Sequence, residues 1–455
     1  MALTNPSTSQ PRSADLAISK GWVQGIALVM LFGFTVMGLL AFRSYSDGMP
    51  IPERVTDPNG AVVYTGEDIT AGQQIFLRRG LQQYGSIVGH GAYLGPDYTA
   101  EYLRLSADHV RGEVSAAGVS DPTQAVIDMM RTNRLDEATG ELQFTAEQVA
   151  AFEAVKAYYT EFFGTDSTKY GLIPQAITDP QDIHQLTAFF GWTAWAAAAE
   201  RPGHDYSYTN NWPPEIRVDN HATADTIVWS GLSLTALLVG LGALFALYGR
   251  WSKRIGWHSS EQPSLAFRQP GEVQITKSQR MTAWFFFIVA ALFLAQTLLG
   301  AAVEHYRADL SSFFGIDLAR LLPYNLARTW HVQLSLLWTA ASLLAAGIFL
   351  APIISGREPR RQHWLSWGLL GALVIVVVGT LVSSAVSIFG WAQGSIFVDQ
   401  QWEYLDLPRF WQILLTIGLF LWIAIVYRAM RSRLKTEHRL NMPWLLLYAG
   451  LAIPG

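Results

Sequence analysis

The chain has 455 residues, of which half are hydrophobic, 17 are tryptophan and only 15% are charged, so its composition predicts a membrane protein. The formal net charge is −4, and no basic tract indicates a nucleic-acid partner. The absence of cysteine excludes disulfides, thiolate metal sites, iron–sulfur clusters and covalently attached c-type haem, which leaves histidine, carboxylate and carbonyl oxygen as metal ligands.

Six apolar stretches approach or exceed the roughly 20 residues that cross a hydrocarbon core. They lie at 22–42, 225–248, 281–303, 325–351, 364–390 and 410–427. The first is a membrane helix rather than a cleaved signal peptide, because its apolar run is too long and no A-x-A site follows it. We therefore expect an all-α polytopic membrane bundle.

The loops predict the orientation of these helices. Arginine and lysine concentrate in 249–280, 353–363 and 428–440, which all fall on one side of the membrane. The positive-inside rule makes that side cytoplasmic, together with the N-terminus at 1–21. The segment 43–224 is then an extracytoplasmic domain, and 225–455 forms the N-terminal part of the main bundle, with five full spans and the start of another.

The segment 43–224 is polar and mixed. Its pattern predicts a short strand before a helix capped at Asp68 or Thr70, and helices at about 70–83, 99–116, 121–132 and 145–163. "LDEATGELQF" predicts a small hairpin. The apolar stretch 186–199 could be a further span, but that would put the basic loops outside, so we interpret it as a buried helix.

A seventh apolar run, "MPWLLLYAGLAIPG", occupies 442–455. A half-span leaves backbone groups unsatisfied in lipid. One interpretation is an interfacial helix. The favoured expectation is that the chain is the N-terminal part of a longer membrane protein.

His331 lies about two turns inside the outer end of its span. Ionisable groups in membrane helices are costly and normally face a partner in the bundle interior. A neutral imidazole there could ligate haem iron, with Arg328 one turn back reaching a haem propionate. The alternative is that His331 hydrogen-bonds a neighbouring helix.

Two pairs of residues lie near the same membrane boundary. His305 and Asp309 are four residues apart, so one helical turn would place them on one face, where they could accept protons from a reduced carrier. The alternative is an ordinary interfacial loop. Glu403 and Asp406 could bind a cation or contact propionate-linked groups, or could form a solvated acidic loop.

Two segments resemble a known family. "YNLARTWHVQLSLLW", at 324–338, resembles the segment of nitric oxide reductase large subunits, in the haem–copper oxidase superfamily, that carries a low-spin haem b ligand. "RPGHDYSYTNNWPP", at 201–214, resembles the single-chain, quinol-dependent branch. The resemblance implies a bundle of the haem–copper oxidase type fused to an extracytoplasmic cytochrome c-like domain, with His331 as an axial ligand.

"AGQQIFLRRGLQQYGSIVGHGAYLGPD", at 71–97, resembles the cytochrome c subunit of the two-chain relatives. Leu81 and Tyr84 stand where that subunit has its haem-binding cysteines, and Gly85 stands where it has the histidine. The resemblance therefore implies a domain without haem, electrons from quinol rather than from cytochrome c, and a quinol site at His305 and Asp309.

The same relatives hold calcium between the haems. The resemblance matches Glu403, Gly91 and Tyr93 to that site, which could hold calcium or water near the haem propionates. It also implies a bacterial inner-membrane location, with 43–224 on the periplasmic side. A homodimer is left open.

The resemblance implies reduction of two NO to N2O and water. The family's haem b3 and non-haem iron ligands are not matched in this chain, so we expect the chain alone to be inactive. An oxygen-reducing relative is an alternative function. A membrane receptor or transporter subunit, or a truncated product without function, are the non-enzymatic alternatives.

Overall fold

The structure is a computed structural model that describes residues 20–46, 48–165, 167–255, 275–310, 315–400 and 406–436. The described chain is mostly helical. Its α-helices are α1 Lys20–Ser46, α2 Gly66–Arg78, α3 Tyr98–Ala116, α4 Pro122–Arg131, α5 Ala146–Gly164, α6 Pro180–Ala198, α7 Ala224–Ile255, α8 Lys277–Ala308, α9 Leu318–Leu321, α10 Tyr324–Ser355, α11 Gln362–Ile388 and α12 Arg409–Thr436.

Five of these helices, α7, α8, α10, α11 and α12, are long and apolar enough to cross a membrane. They correspond to the last five predicted spans. The predicted first span, 22–42, falls within α1. Helix α6 confirms the interpretation of 186–199 as a buried helix, because its whole apolar run is enclosed. The run at 442–455 lies outside the described residues.

The polar domain, residues 48–224, contains six short strands among its described residues. They are β1 Arg54–Thr56, β2 Val62–Thr65, β3 Ser86–Ile87, β4 His90–Gly91, β5 Leu135–Asp136 and β6 Glu141–Gln143. The predicted hairpin is confirmed as β5–β6. The sequence pattern did not predict a sheet. In the structure β1 pairs in parallel with β6 and antiparallel with β2, which gives one sheet in the order β2-β1-β6-β5.

Helix α2 begins earlier than predicted, and the predicted cap at Asp68 or Thr70 is wrong. Thr65 is the N-cap, since its hydroxyl accepts from the backbone N–H of Asp68 while the Asp68 carboxylate accepts from the backbone N–H of Thr65. This reciprocal capping box satisfies two otherwise unpaired amides. The helix ends before Gly80, which has a left-handed φ of +63°, and a single 3₁₀ turn follows at Leu81–Gln83.

Aromatic side chains fill the centre of the polar domain. The rings of Tyr98 and Phe190 stack with centroids 4.5 Å apart and planes 7° apart. Tyr159 meets Phe190 edge-on at 5.2 Å, and Phe76 meets it edge-on at 6.0 Å. All four side chains are buried, so α2, α3, α5 and α6 share one core.

In the bundle, α8, α10, α11 and α12 share a second core. Two glycines allow tryptophan rings to lie against the backbone of a neighbouring helix. A Cβ at Gly347 would stand 2.5 Å from the Trp422 ring, and one at Gly379 would collide with the ring of Trp411. The Trp422 indole N–H also donates to the carbonyl oxygen of Leu344 at 3.0 Å. Small residues of this kind permit close helix packing in membranes.

Candidate cofactor site at the α8–α10 contact

His331 lies on α10 and is half-buried against α8. Its Nδ1–H donates to the backbone carbonyl oxygen of Gln296 at 2.9 Å. The side-chain nitrogen of Gln296 lies 3.3 Å from both ring nitrogens, so it is in line with neither lone pair. A carbonyl oxygen can only accept a hydrogen bond, so the proton is on Nδ1, and Nε2 carries the lone pair that could bind a metal.

This arrangement fits an axial haem ligand. Gly300 follows Gln296 by one turn of α8, and a Cβ at Gly300 would stand 2.8 Å from Cε1 of His331. The imidazole therefore occupies the space that any other residue at position 300 would fill. The alternative, that His331 hydrogen-bonds a neighbouring helix, is what the structure shows at Nδ1, which bonds α8. Nε2 carries no proton in this tautomer and keeps its lone pair.

Arg328 begins a hydrogen-bonded chain between the bundle and the polar domain. Its guanidinium donates to the side-chain oxygen of Gln83, and the Gln83 amide donates to the carboxylate of Asp406. We call these three residues the domain junction. Burial raises the pKa of Asp406, and the hydrogen bonds from Gln82 and Gln83 oppose that shift, as does the charge of Arg328. The junction thus links a buried carboxyl to Arg328, which lies one helical turn from His331 on α10.

Further polar groups surround the domain junction. The Gln82 amide donates to the side-chain oxygen of Gln400 at 3.2 Å, and Asn325 donates to the backbone oxygen of Arg79 at 2.7 Å. Within the described ranges, four buried side-chain atoms here have no hydrogen-bond partner: Gln82 Oε1, Gln400 Nε2, Asn325 Oδ1 and Arg79 Nε. Buried polar atoms are normally paired, so these unpaired atoms beside the domain junction are groups that a polar ligand near Arg328 could pair with.

His305 and Asp309 lie at the end of α8 that faces the polar domain. Asp309 caps the helix, and its backbone N–H donates to the carbonyl oxygen of His305 at 3.0 Å. Both side chains are half-buried. Tyr306, between them, is fully buried and donates its hydroxyl to the backbone oxygen of Leu322 at 2.5 Å, which fixes this helix end against the segment before α10.

The residues matched to a calcium site are only partly described. Glu403 lies outside the described residues. Gly91 lies in β4 with a φ of +143°, where a Cβ would collide with the backbone of Gly85. The side chain of Tyr93 is 79% exposed, and its phenol donates to the backbone oxygen of Gly89 at 2.9 Å. In the parts of the chain that the structure describes, no group of three or more His, Asp or Glu side chains could hold a metal ion.

The positions matched to the family's haem motif are packed into the protein. Leu81 and Tyr84 are buried, and a Cβ at Gly85 would collide with the backbone of Pro96. Burial, more than the nearby charge of Glu101, raises the pKa of the Tyr84 phenol. This segment therefore contributes to the core of the polar domain and, through Gln83, to the domain junction.

Sequence reasoning missed three residues of the site. Gln296 and Gly300 are four apart in an apolar span, a spacing that places them on one helix face, but nothing local connects that face with His331. Gln83 lies in the segment 71–97, which the sequence analysis compared only with the family's haem-binding motif. The role of each residue can be recognised only from the tertiary contacts between the helices.

Comparison with known proteins agrees with this architecture. Residues 52–214 match the family model of the cytochrome c-like domain of the nitric oxide reductase protein NorB. Residues 280–454 match that of cytochrome c and quinol oxidase polypeptide I. The nitric oxide reductase protein NorB of Stutzerimonas stutzeri is 26% identical over 158 residues, which cover 34% of this chain and 30% of that protein.

The fold and the matches define the class of protein. The predicted fold, an all-α polytopic membrane bundle of the haem–copper oxidase type with a cytochrome c-like domain, is confirmed. The two family matches and the relative from Stutzerimonas stutzeri support a relationship to the nitric oxide reductase and haem–copper oxidase family.

Proposed function

We propose that the chain serves in a quinol-dependent nitric oxide reductase and forms its quinol and low-spin haem b side. In the overall reaction one quinol and two NO give one quinone, N2O and water. The quinol supplies two electrons and two protons, and the two protons leave with one of the NO oxygens as water. Forming N2O would require haem b3 and non-haem iron, and we assign no ligand of either group among the residues described above.

The observation that carries the proposal is the position of His331. It lies in a membrane helix, its Nδ1 proton is fixed by Gln296, and the chain also contains a domain that matches the NorB family of nitric oxide reductases. A haem b bound there would relay electrons singly. His331 would ligate the iron, and Arg328 would balance the charge of a propionate beside the unpaired polar atoms.

A quinol is the proposed electron donor for two reasons. The first reason is that the positions matched to the relatives' c-type haem motif are packed into a protein core. These positions are Leu81, Tyr84 and Gly85. His305 and Asp309 stand at one end of α8, where a lipid-soluble carrier could approach and transfer its protons. A calcium ion or water near the propionates, held by Glu403, Gly91 and Tyr93, remains part of this proposal.

The proposed location is a bacterial inner membrane, with 43–224 on the periplasmic side. The support is the side preference of the basic loops, including Lys253 and Arg254 in the last turn of α7. NO is favoured over O2 as the electron acceptor because the polar domain matches the NorB family of nitric oxide reductases.

The first test is a reduced-minus-oxidised optical spectrum of the purified chain in detergent, with His331→Ala as the paired variant. We expect a low-spin haem b band in the wild type that is lost in the variant. His363→Ala is the matched control, because His363 also lies in a membrane helix but at its basic end. An equal spectrum in the His331 variant would refute the haem assignment, and a wild type without haem would refute the proposed function.

A second test separates the electron donors. Membranes that contain the haem-loaded chain are supplied with either a reduced quinol analogue or reduced cytochrome c, and reduction of the haem b is followed by its absorbance. We expect rapid reduction by the quinol only, and loss of that reduction in His305→Ala. Equal reduction by cytochrome c would contradict the quinol assignment while leaving the haem assignment intact.

A further inference from the structure

We propose that Gly300 is the positioning residue for the haem-ligating imidazole. Because position 300 has no side chain, the ring of His331 can lie against α8, where the Gln296 carbonyl accepts a hydrogen bond from Nδ1–H and Nε2 is left to bind iron. The inference rests on the proposed haem at His331, and it assigns a role to a residue outside the ligand set.

The reason for a glycine at position 300 is space. Its φ does not lie in the left-handed region, so the backbone conformation would suit any residue. Glycine inside a helix costs about 1 kcal/mol relative to alanine, so its presence needs another explanation. The three atoms nearest to a Cβ built at position 300 are Cε1, Nδ1 and Nε2 of His331, at 2.8, 3.1 and 3.8 Å.

These neighbours distinguish Gly300 from an ordinary helix-packing glycine. In membrane bundles, small residues commonly let two helix backbones approach each other. Here the three atoms nearest to a Cβ at position 300 all belong to the imidazole of His331, and none is a backbone atom of α10. Replacing Gly300 therefore acts first on the imidazole and only then on the contact between α8 and α10.

The same glycine brings the acceptor within reach. The carbonyl of Gln296 lies one turn before Gly300 on the same face of α8, and it accepts from Nδ1 at 2.9 Å. A carbonyl oxygen has two lone pairs, so it can serve the helix and the imidazole together. A hydrogen bond of this kind fixes the tautomer and raises the basicity of a ligating histidine. A Cβ at position 300 would push the ring away from that carbonyl.

Spectroscopy of the haem-loaded chain tests this role. We expect Gly300→Ala to retain haem with shifted low-spin electron paramagnetic resonance g-values and a higher midpoint potential, because a weaker imidazole donor favours ferrous iron. Gly300→Val should weaken haem binding by about 10- to 100-fold, the range for losing an outer-shell partner. Gly371→Ala is the matched control, since a Cβ there would meet nothing within 4 Å. Unchanged g-values and potential in Gly300→Ala would overturn the inference.

A double-mutant cycle tests the same contact without haem. If Gly300→Ala acts by colliding with the imidazole, the thermal destabilisation that it causes should disappear in the His331→Ala background. Equal destabilisation in both backgrounds would overturn the inference even if the single variant folds poorly. A wild type that binds no haem would instead refute the proposed function and the inference with it, whereas a haem-loaded wild type with an unchanged Gly300→Ala refutes the inference alone.

Discussion

Replacing Phe190 with alanine tests whether the aromatic core holds the polar domain together. The Phe190 side chain is fully buried and stacks on Tyr98 at 4.5 Å, with Tyr159 and Phe76 meeting it edge-on. Truncating a buried phenylalanine to alanine costs about 3–5 kcal/mol. Four aromatic neighbours, these three and Phe189, place the expected loss in the upper part of that range, at about 4–5 kcal/mol, because each ring pair adds about 0.5–1.5 kcal/mol beyond area burial.

Hydrogen exchange followed by mass spectrometry measures this loss locally in the full chain in detergent. Peptides from α3 and α6 should exchange about a thousandfold faster in Phe190→Ala, since each 1.4 kcal/mol changes an equilibrium constant tenfold. Peptides from α11, which lies in the separate bundle core, should exchange at the wild-type rate. Phe190→Leu, which keeps most of the apolar volume, should lose about 1–2 kcal/mol through the missing ring pairs.

Val119→Ala provides the control, because that side chain is exposed and surface changes usually stay within about 0.5 kcal/mol. A loss below about 1 kcal/mol in Phe190→Ala would refute the reasoning. It would show that the rings do not act as one core and that the domain is stabilised elsewhere. A loss of the same size in α11 peptides would show instead that the two cores unfold together.

Three further perturbations follow from the geometry. Burial raises the pKa of Asp406 in the folded protein, so its contribution to stability should be complete below its unfolded-state pKa and should be lost as pH rises through its folded-state pKa. Thermal melting measured against pH should show this fall in stability, and Asp406→Asn should abolish it. Arg78 donates to both carboxylate oxygens of Asp182 at 3.0 Å, and each side chain is less than a fifth exposed. Arg78→Met should therefore lower the free energy of unfolding in urea by about 1.5–3 kcal/mol, and an equal loss in the presence of Asp182→Leu would contradict this prediction. Gly379→Val should force the ring of Trp411 aside and cost about 1–3 kcal/mol in thermal unfolding, and an unchanged midpoint would show that α12 is not packed against α11 as described.

The sequence determined the membrane helices and most helices of the polar domain. Hydrophobic length and periodicity are local properties, so the spans at 281–303, 325–351 and 364–390 could be read directly and recur in α8, α10 and α11. Capping is also local, and the cap of α2 was missed only because Asp68 serves as the third residue of the helix rather than as its cap. The unusual position of His331 within an apolar span was equally visible.

The partners of the site depended on tertiary structure. His331 and Gln296 are separated by 35 residues, Arg328 and Gln83 by 245, and Gln83 and Asp406 by 323. A hydropathy pattern records which residues prefer an apolar environment, but it does not record which faces of two helices meet. The contact between Gly300 and the imidazole, and the buried chain from Arg328 to Asp406, exist because packing brings distant side chains within hydrogen-bonding distance, and only the folded arrangement of the bundle and the polar domain decides that.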